Sequence, residues 1–266
     1  MPEWKITPLV VALGPQREKS RFTYMHNFGG KVDVPYVSWL LQDGTHNVLV
    51  DTGCSATEYA QKVRPPDGPL LLAGERFADV EDVVPLEERL AAQGLEPGDI
   101  DLIVQTHLDW DHTMNTPVVF AGTDVKVVVQ RQEWERIPAH PLFAGTYSPK
   151  ETYAQIEAMN FELLDGDQEI LPGLRLMVTP GHSPAGQSIV LETAAGPHVI
   201  VGMCTIAENF WPSEEVLAKG TYTVIPTGMH TDVMACYDSM LAIKAIPEAR
   251  ILPFHDIAVL DYSTLG

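Results

Sequence analysis

His107-Leu108-Asp109-Trp110-Asp111-His112 stands two residues beyond Leu102-Ile103-Val104, an apolar run that reads as a buried strand. Four candidate metal ligands thus fall within six residues at the mouth of a strand. In an extended segment, alternation places His107, Asp109 and Asp111 on one side, with His112 adjacent. Carboxylates and imidazoles packed this densely are costly to bury unless a cation or hydrogen bonds compensate them. The competing reading is a polar strand-to-helix loop in which Asp111 caps the next helix. Histidines in comparable places downstream favour the metal. His182 lies in the tight turn Pro180-Gly181-His182-Ser183-Pro184, and His255 follows the apolar strand Ile251-Leu252-Pro253-Phe254.

The neighbouring sequence supplies a scaffold for such a cluster. Strands are expected at 5–13, 34–41 and 46–51, the last two forming a hairpin around Asp43-Gly44-Thr45. The second of these runs into Asp51-Thr52-Gly53-Cys54. Residues 55–81 are rich in Pro and Gly and carry the apolar patch Pro69-Leu70-Leu71-Leu72, as expected of an insertion or flap near a site. An amphipathic helix over 83–93 ends at Gly94, and a second begins at the end of the hexapeptide. Val125–Val129 reads as a strand. Ser148-Pro149-Lys150-Glu151 is a capping box that predicts a helix over 149–159. Strands follow at 161–165, 174–179, 187–192 and Val199-Ile200-Val201. A late helix starts near Thr231 or Asp232, with Val233, Cys236, Tyr237, Met240 and Ile243 at helical spacing. Strands followed by a covering helix in both halves favour two stacked sheets with helices outside.

Composition narrows the function classes. The chain has 266 residues, enough for one large domain with a substantial core. Its formal charge of −19 excludes nucleic acid or an anionic membrane as the main partner, since both need a basic footprint. Three cysteines, Cys54, Cys204 and Cys236, form no CxxC pair and no disulfide framework, so a reducing cytoplasm is expected. The first residues lack the features of a signal peptide. No run approaches the roughly 18 apolar residues of a membrane span.

With Asp51-Thr52-Gly53, Thr106-His107-x-Asp109-x-Asp111-His112, the His182 turn and Pro253-Phe254-His255-Asp256 in order, the chain resembles the metallo-β-lactamase superfamily. Within it the chain is most similar to the N-acyl-homoserine-lactone lactonase branch, a likeness that extends to Glu208-Asn209 and to Ser239 on the late helix. The resemblance implies a single domain over 1–266, an α/β four-layer αββα sandwich of two mixed sheets. It implies one or two metal ions, usually zinc, at the sheet edges. One ion would take His107, residue 109 and His182, and the other Asp111, His112 and His255. The implied chemistry is attack by metal-activated hydroxide on a carbonyl carbon.

Two positions depart from the family pattern. Asp109 stands where the family usually has His, and an oxygen donor there could favour manganese or iron over zinc. After Val201-Gly202, where the family usually places a metal-bridging Asp, this chain has Met203-Cys204-Thr205. Cys204 could ligate as a thiolate, or serve as a small buried hydrophobe. Asp109 and Asp111 are the candidate catalytic carboxylates, Asp109 as ligand or as general base for water. Asp51 is expected to support the metal loop from behind, and Trp110 to pack under it. His26 and Phe28 in an aromatic loop, His230, and Phe210 beside Trp211 are candidate pocket residues. The expected function is metal-dependent hydrolysis of a small cyclic or activated carbonyl compound, a lactone first, with cyclic amides, thioesters and isothiocyanates also open. The alternatives are a non-catalytic ligand-binding relative with a degenerate metal site, and a two-iron redox member that would need a flavin partner. The partner is a small molecule, and Leu70-Leu71-Leu72 allows a homodimer.

Overall fold

The computed structural model of the chain describes residues 3–55, 80–140, 150–220 and 223–266. Its strands are β1 (Lys5–Glu18), β2 (Lys31–Gln42), β3 (Asn47–Val50), β4 (Glu81–Asp82), β5 (Leu102–Val104), β6 (Lys126–Gln130), β7 (Asn160–Leu164), β8 (Gln168–Leu171), β9 (Leu174–Val178), β10 (Gln187–Thr193), β11 (Gly196–Val201) and β12 (Arg250–Pro253). Its α-helices are α1 (Leu86–Ala92), α2 (Trp110–Thr113), α3 (Asn115–Phe120), α4 (Arg131–Arg136), α5 (Lys150–Glu157), α6 (Ala207–Phe210), α7 (Glu214–Lys219) and α8 (Val233–Lys244). The expected insertion at 55–81, with its apolar patch, and the Ser148-Pro149 start of a helix lie largely outside the described residues.

One sheet runs in the order β4-β1-β2-β3-β5-β6-β7 and the other in the order β12-β11-β10-β9-β8. Both are mixed. In the first, β1, β2 and β3 pair antiparallel, whereas β3, β5, β6 and β7 pair parallel. In the second, β11 and β12 are parallel and the other pairs antiparallel. The β2–β3 pair is the expected hairpin, with Trp39 opposite Val50. Its turn closes where Asp43 Oδ1 accepts the Thr45 and His46 N–H groups.

Period-two alternation divides most of the buried apolar side chains among three larger clusters, with a smaller fourth at Leu108, Val129, Ile137 and Tyr153. Val48, Val50, Val104, Ile189, Leu191, Ile200 and Leu252 meet between the sheets. Their neighbours Leu49, Ile103 and Val127 face outward onto Leu86, Leu90, Phe120 and Ile156. On the far side, Val190, Val199, Val201 and Ile251 pack against Cys236, Met240 and Ile243 of α8. The result is helix, sheet, sheet, helix. Each such aliphatic side chain contributes about 1.5–3 kcal/mol when fully buried. At Gly202 the layers come so close that a Cβ would lie 1.7 Å from the Gln187 carbonyl oxygen and 2.9 Å from the Thr106 Cβ. Any side chain there would force β10 and β11 apart, just beneath the site.

The C-terminal ends of β3, β5, β9, β11 and β12 gather along one edge of the sandwich, where loops on a rigid frame can share a cleft. Helix α8 holds one of these loops. Asp232 caps it by accepting from the Met234 and Ala235 N–H groups. Ser239 Oγ donates to the Pro180 carbonyl at 2.8 Å, and the Thr231 N–H donates to the Gly181 carbonyl at 2.7 Å. Gly181 has φ 129° and lies so close to α8 that a Cβ would be 2.2 Å from the Cys236 nitrogen. Among the described residues, no helix is long and apolar enough to cross a membrane.

Candidate metal centre

The hexapeptide does not stay extended. Helix α2 begins inside it, at Trp110, so strict alternation ends at Asp109. Asp109 occupies the N-cap position, and its backbone carbonyl accepts the His112 and Thr113 N–H groups, yet its side chain makes no capping hydrogen bond. Its carboxylate turns instead to two imidazoles, with Oδ2 3.6 Å from His107 Nε2 and 3.4 Å from His182 Nε2. Asp111 does not cap the helix either. Its Oδ2 is 3.6 Å from both His112 Nε2 and His255 Nε2. Two triads result, His107/Asp109/His182 and Asp111/His112/His255, each with ligand atoms within 4.8 Å of one another. The His107 and His112 rings lie against each other with centroids 3.9 Å apart, so the triads are adjacent.

All four histidines present Nε2 to the centre because Nδ1 is engaged behind each ring. His182 Nδ1 donates to the Met229 carbonyl at 2.6 Å, and His255 Nδ1 to the Pro35 carbonyl at 3.0 Å. His112 Nδ1 donates to Asp51 Oδ2 at 2.6 Å. The Thr106 hydroxyl donates to the same oxygen at 2.6 Å, which leaves Thr106 Oγ1 to accept from His107 Nδ1 at 2.9 Å. Nδ1 carries the proton in every ring, and each Nε2 keeps its lone pair for a cation. Asp51 therefore orients one histidine of each triad, directly for His112 and through Thr106 for His107.

The geometry is that of a cation site. Asp109 Oδ1 and His112 Nε2 are buried without a hydrogen-bond partner. His107 Nε2 and His182 Nε2 stand 3.1 Å apart, and two lone pairs at that distance repel unless a proton or cation lies between them. Four imidazole nitrogens and two carboxylates suit zinc, and also manganese or iron. Burial lowers the pKa values of His107, His112 and His255 to about 4, so these rings are neutral and able to ligate at neutral pH. Burial raises Asp111 to about 6 and Asp51 to about 7. Asp109 goes the other way. Burial opposes its ionisation, but the His107 and His182 rings that face its Oδ2 prevail and hold it well below the usual carboxylate range. His182 is opposed by burial too, and the Asp109 carboxylate lifts it above its ordinary value.

Asp109, Asp111 and His255 open into a cavity of ≈ 80 Å³ that is also lined by Arg17, Arg21, Tyr36, Trp110 and Cys204. Trp110, expected under the loop, lines this cavity and meets Tyr36 edge-on at 5.1 Å. Cys204 is in the cavity wall and belongs to neither triad. Burial pushes its thiol pKa well above the ordinary value. Met203 points away from the site, with its sulfur 3.8 Å from Cys236 Sγ under α8. Phe210 is not a pocket wall. It closes α6 and is wholly buried in the same core as Met203, Val224 and Met240. Phe28 is 71% exposed. His26 lines a different, apolar groove of ≈ 450 Å³ together with Tyr24, Met25, Met234 and Tyr237. His230 stands edge-on to Tyr24, its Nδ1 2.9 Å from the Thr227 carbonyl.

Sequence reasoning missed Glu133. This wholly buried carboxylate on α4 accepts from the Ala185 N–H at 3.0 Å and the Leu108 N–H at 3.4 Å, joining the two loops of the first triad. Burial raises its pKa to about 7. No periodicity or spacing marks it among the polar residues of α4. Arg17 and Arg21 were missed as well.

Comparison with known proteins agrees with this geometry. The model of the metallo-beta-lactamase superfamily matches residues 32–255. An N-acyl homoserine lactonase of Bacillus thuringiensis is 27% identical over 179 residues, covering 65% of this chain and 64% of that protein, so the likeness spans less than two thirds of the relative. The N-acyl homoserine lactonase AiiB of Agrobacterium fabrum is 27% identical over 197 residues, covering 68% of this chain and 67% of AiiB. A B. thuringiensis AiiA variant with N-decanoyl-L-homoserine bound at its active site superposes with a TM-score of 0.73 at 24% identity, covering 97% of this chain and 95% of that one. AidC, a dizinc quorum-quenching lactonase, superposes with a TM-score of 0.68 at 15% identity, covering 97% and 89%. Sandwich, ordered motifs and family match agree, and the chain belongs to the metallo-beta-lactamase superfamily.

Proposed function

We propose that the protein is a metal-dependent hydrolase that opens small lactones. The observation that carries this reading is the pair of complete triads, with each Nε2 turned to the carboxylate of its own triad and every Nδ1 engaged behind. We assign His107, Asp109 and His182 to one cation and Asp111, His112 and His255 to a second. A bound divalent cation lowers the pKa of water towards neutrality and polarises a carbonyl oxygen. The chain's own residues do the rest. Asp51, Thr106, Met229 and Pro35 fix the four rings before substrate arrives. Asp109, held ionised and with Oδ1 otherwise unpartnered, can orient the attacking water by accepting its hydrogen bond, and Asp111, raised to about 6, can take the proton that water loses as it adds to the carbonyl carbon. The ring C–O bond then breaks, the leaving oxygen takes up a proton, and the product is a hydroxy acid. The cysteines are not nucleophiles in this scheme, because burial keeps Cys54 and Cys204 as thiols. The same relatives support lactones as the substrate class, since the curated ones are named N-acyl homoserine lactonases.

The test is a pH-stat assay on a panel of lactones, thioesters and cyclic amides, with protein that has been stripped of metal and reloaded with zinc, manganese or iron. Lactone hydrolysis that is lost on stripping and restored on reloading supports the reading. A metal-loaded protein that turns over no member of the panel overturns it.

A further inference from the structure

The cavity over the triads carries two guanidinium groups, Arg17 and Arg21, although the chain as a whole has only 17 Lys and Arg against 36 Asp and Glu. The way Arg17 arrives there is specific. From Gly14 to Arg17 is three steps along β1, yet their partners Val34 and Val32 are two steps apart on β2, so β1 bulges by one residue. Gln16, inside the bulge, has φ 52°. In a regular strand residue 17 would face the opposite side from Gly14. The bulge turns Arg17 onto the face of Ala12, Gly14, Val34 and Tyr36, which a bulge beside a site commonly does. Space is kept for it as well, since a Cβ on Gly14 would lie 2.8 Å from Arg17 Nε and 2.6 Å from the Tyr36 hydroxyl. Arg17 is 6% exposed and hydrogen-bonds the Tyr36 hydroxyl. Arg21 reaches the same cavity from the turn after β1, with Nη2 3.2 Å from the Met229 sulfur. The Met229 carbonyl is the group that orients His182.

We infer that Arg17 and Arg21 form a subsite for an anionic group, so that the substrate is a compact lactone bearing a carboxylate. This inference rests on the hydrolase reading and narrows it. Guanidinium pairs with carboxylate through two parallel hydrogen bonds, which fixes orientation as well as charge. The carboxylate on the arginines would hold the lactone carbonyl over Asp109 and Asp111. The ≈ 80 Å³ cavity suits such a compact head.

The test compares γ-carboxy-γ-butyrolactone with unsubstituted γ-butyrolactone as substrates of the zinc-loaded protein. In parallel, calorimetry compares binding of their ring-opened products, a hydroxy-dicarboxylate and γ-hydroxybutyrate, which needs no turnover. Each charge-assisted contact is expected to favour the carboxylated member by about 10- to 100-fold in kcat/KM and in affinity. That ratio should collapse towards unity in Arg21→Gln and Arg17→Gln, and recover in part in Arg17→Lys, which also guards against misfolding at the buried position. A wild-type ratio near unity, or one that the substitutions leave alone, overturns the anionic subsite while the hydrolase reading stands. Selective binding of the dicarboxylate without hydrolysis of either lactone upholds the subsite and overturns lactone hydrolysis.

Discussion

The two triads have similar carboxylate–imidazole distances, 3.4–3.6 Å, and carboxyl groups shifted in opposite directions. In His107/Asp109/His182 the carboxylate is held ionised by its two rings, and it raises His182 in return. In Asp111/His112/His255 burial dominates, raising the carboxyl to about 6 and lowering both rings to about 4. Their supports differ too. Glu133 joins the two loops of the first triad, whereas Asp51 serves both triads. One half is thus prepared around a firmly held negative charge, whereas burial brings the carboxyl of the other close to taking up a proton.

Removing a ligand is the harshest way to break this comparison. His107→Ala or His182→Ala should cost more than about 100-fold in activity, above what loss of a supporting group costs, and should empty the first triad only. His255→Ala should empty the second. Elemental analysis of the folded variants checks which ion is lost. Asp51→Asn should act on both halves, lowering metal affinity by about 10- to 100-fold in each, as measured by chelator competition.

The pH dependence sharpens the contrast. Metal-free protein holds a proton on Asp111 below about 6, which cation binding must release, and Asp51, behind the rings, takes one up below about 7. Metal affinity at the second triad should therefore fall as pH drops through that window. The neutral rings, with pKa values of about 4, begin to compete only at lower pH. Asp109 is ionised throughout and Asp51 reaches His107 only through Thr106, so affinity at the first triad should fall less. Chelator titrations of the His107→Ala and His255→Ala variants separate the two halves. Equal pH profiles would contradict the contrast.

Smaller effects are expected from two other changes. Glu133→Gln places an amide N–H opposite backbone N–H groups, a loss of about 1–3 kcal/mol that should appear as a lower Tm with the second triad unaffected. Asp109→His exchanges an oxygen donor for nitrogen. It should keep the metal and shift preference from manganese towards zinc, as read by competitive loading.

Much of this arrangement was legible in the sequence because period-two patterns and tight turns are local. Leu102-Ile103-Val104 and Ile251-Leu252-Pro253 are strands, and the histidines beyond them meet in space. What stayed hidden depends on single-residue geometry or on distant partners. A one-residue bulge decides that Arg17 faces the cavity, and nothing in Pro15-Gln16-Arg17 announces it. Helix α2 starts within the hexapeptide, so Trp110 is buried in the core as expected and also edges the cavity. Phe210 and Met203 look like site residues by position, but the apolar face of α8 draws both into its core. Glu133 is visible only once the loops at Leu108 and Ala185 have come together.

The most direct test of the account is the metal content per folded chain, measured on wild type and on the His107→Ala and His255→Ala variants after loading with zinc and removal of excess. The account predicts about two ions in wild type and about one in either variant, since each triad holds its own cation. A wild type that takes up no ion, or variants that retain the full complement, would contradict it.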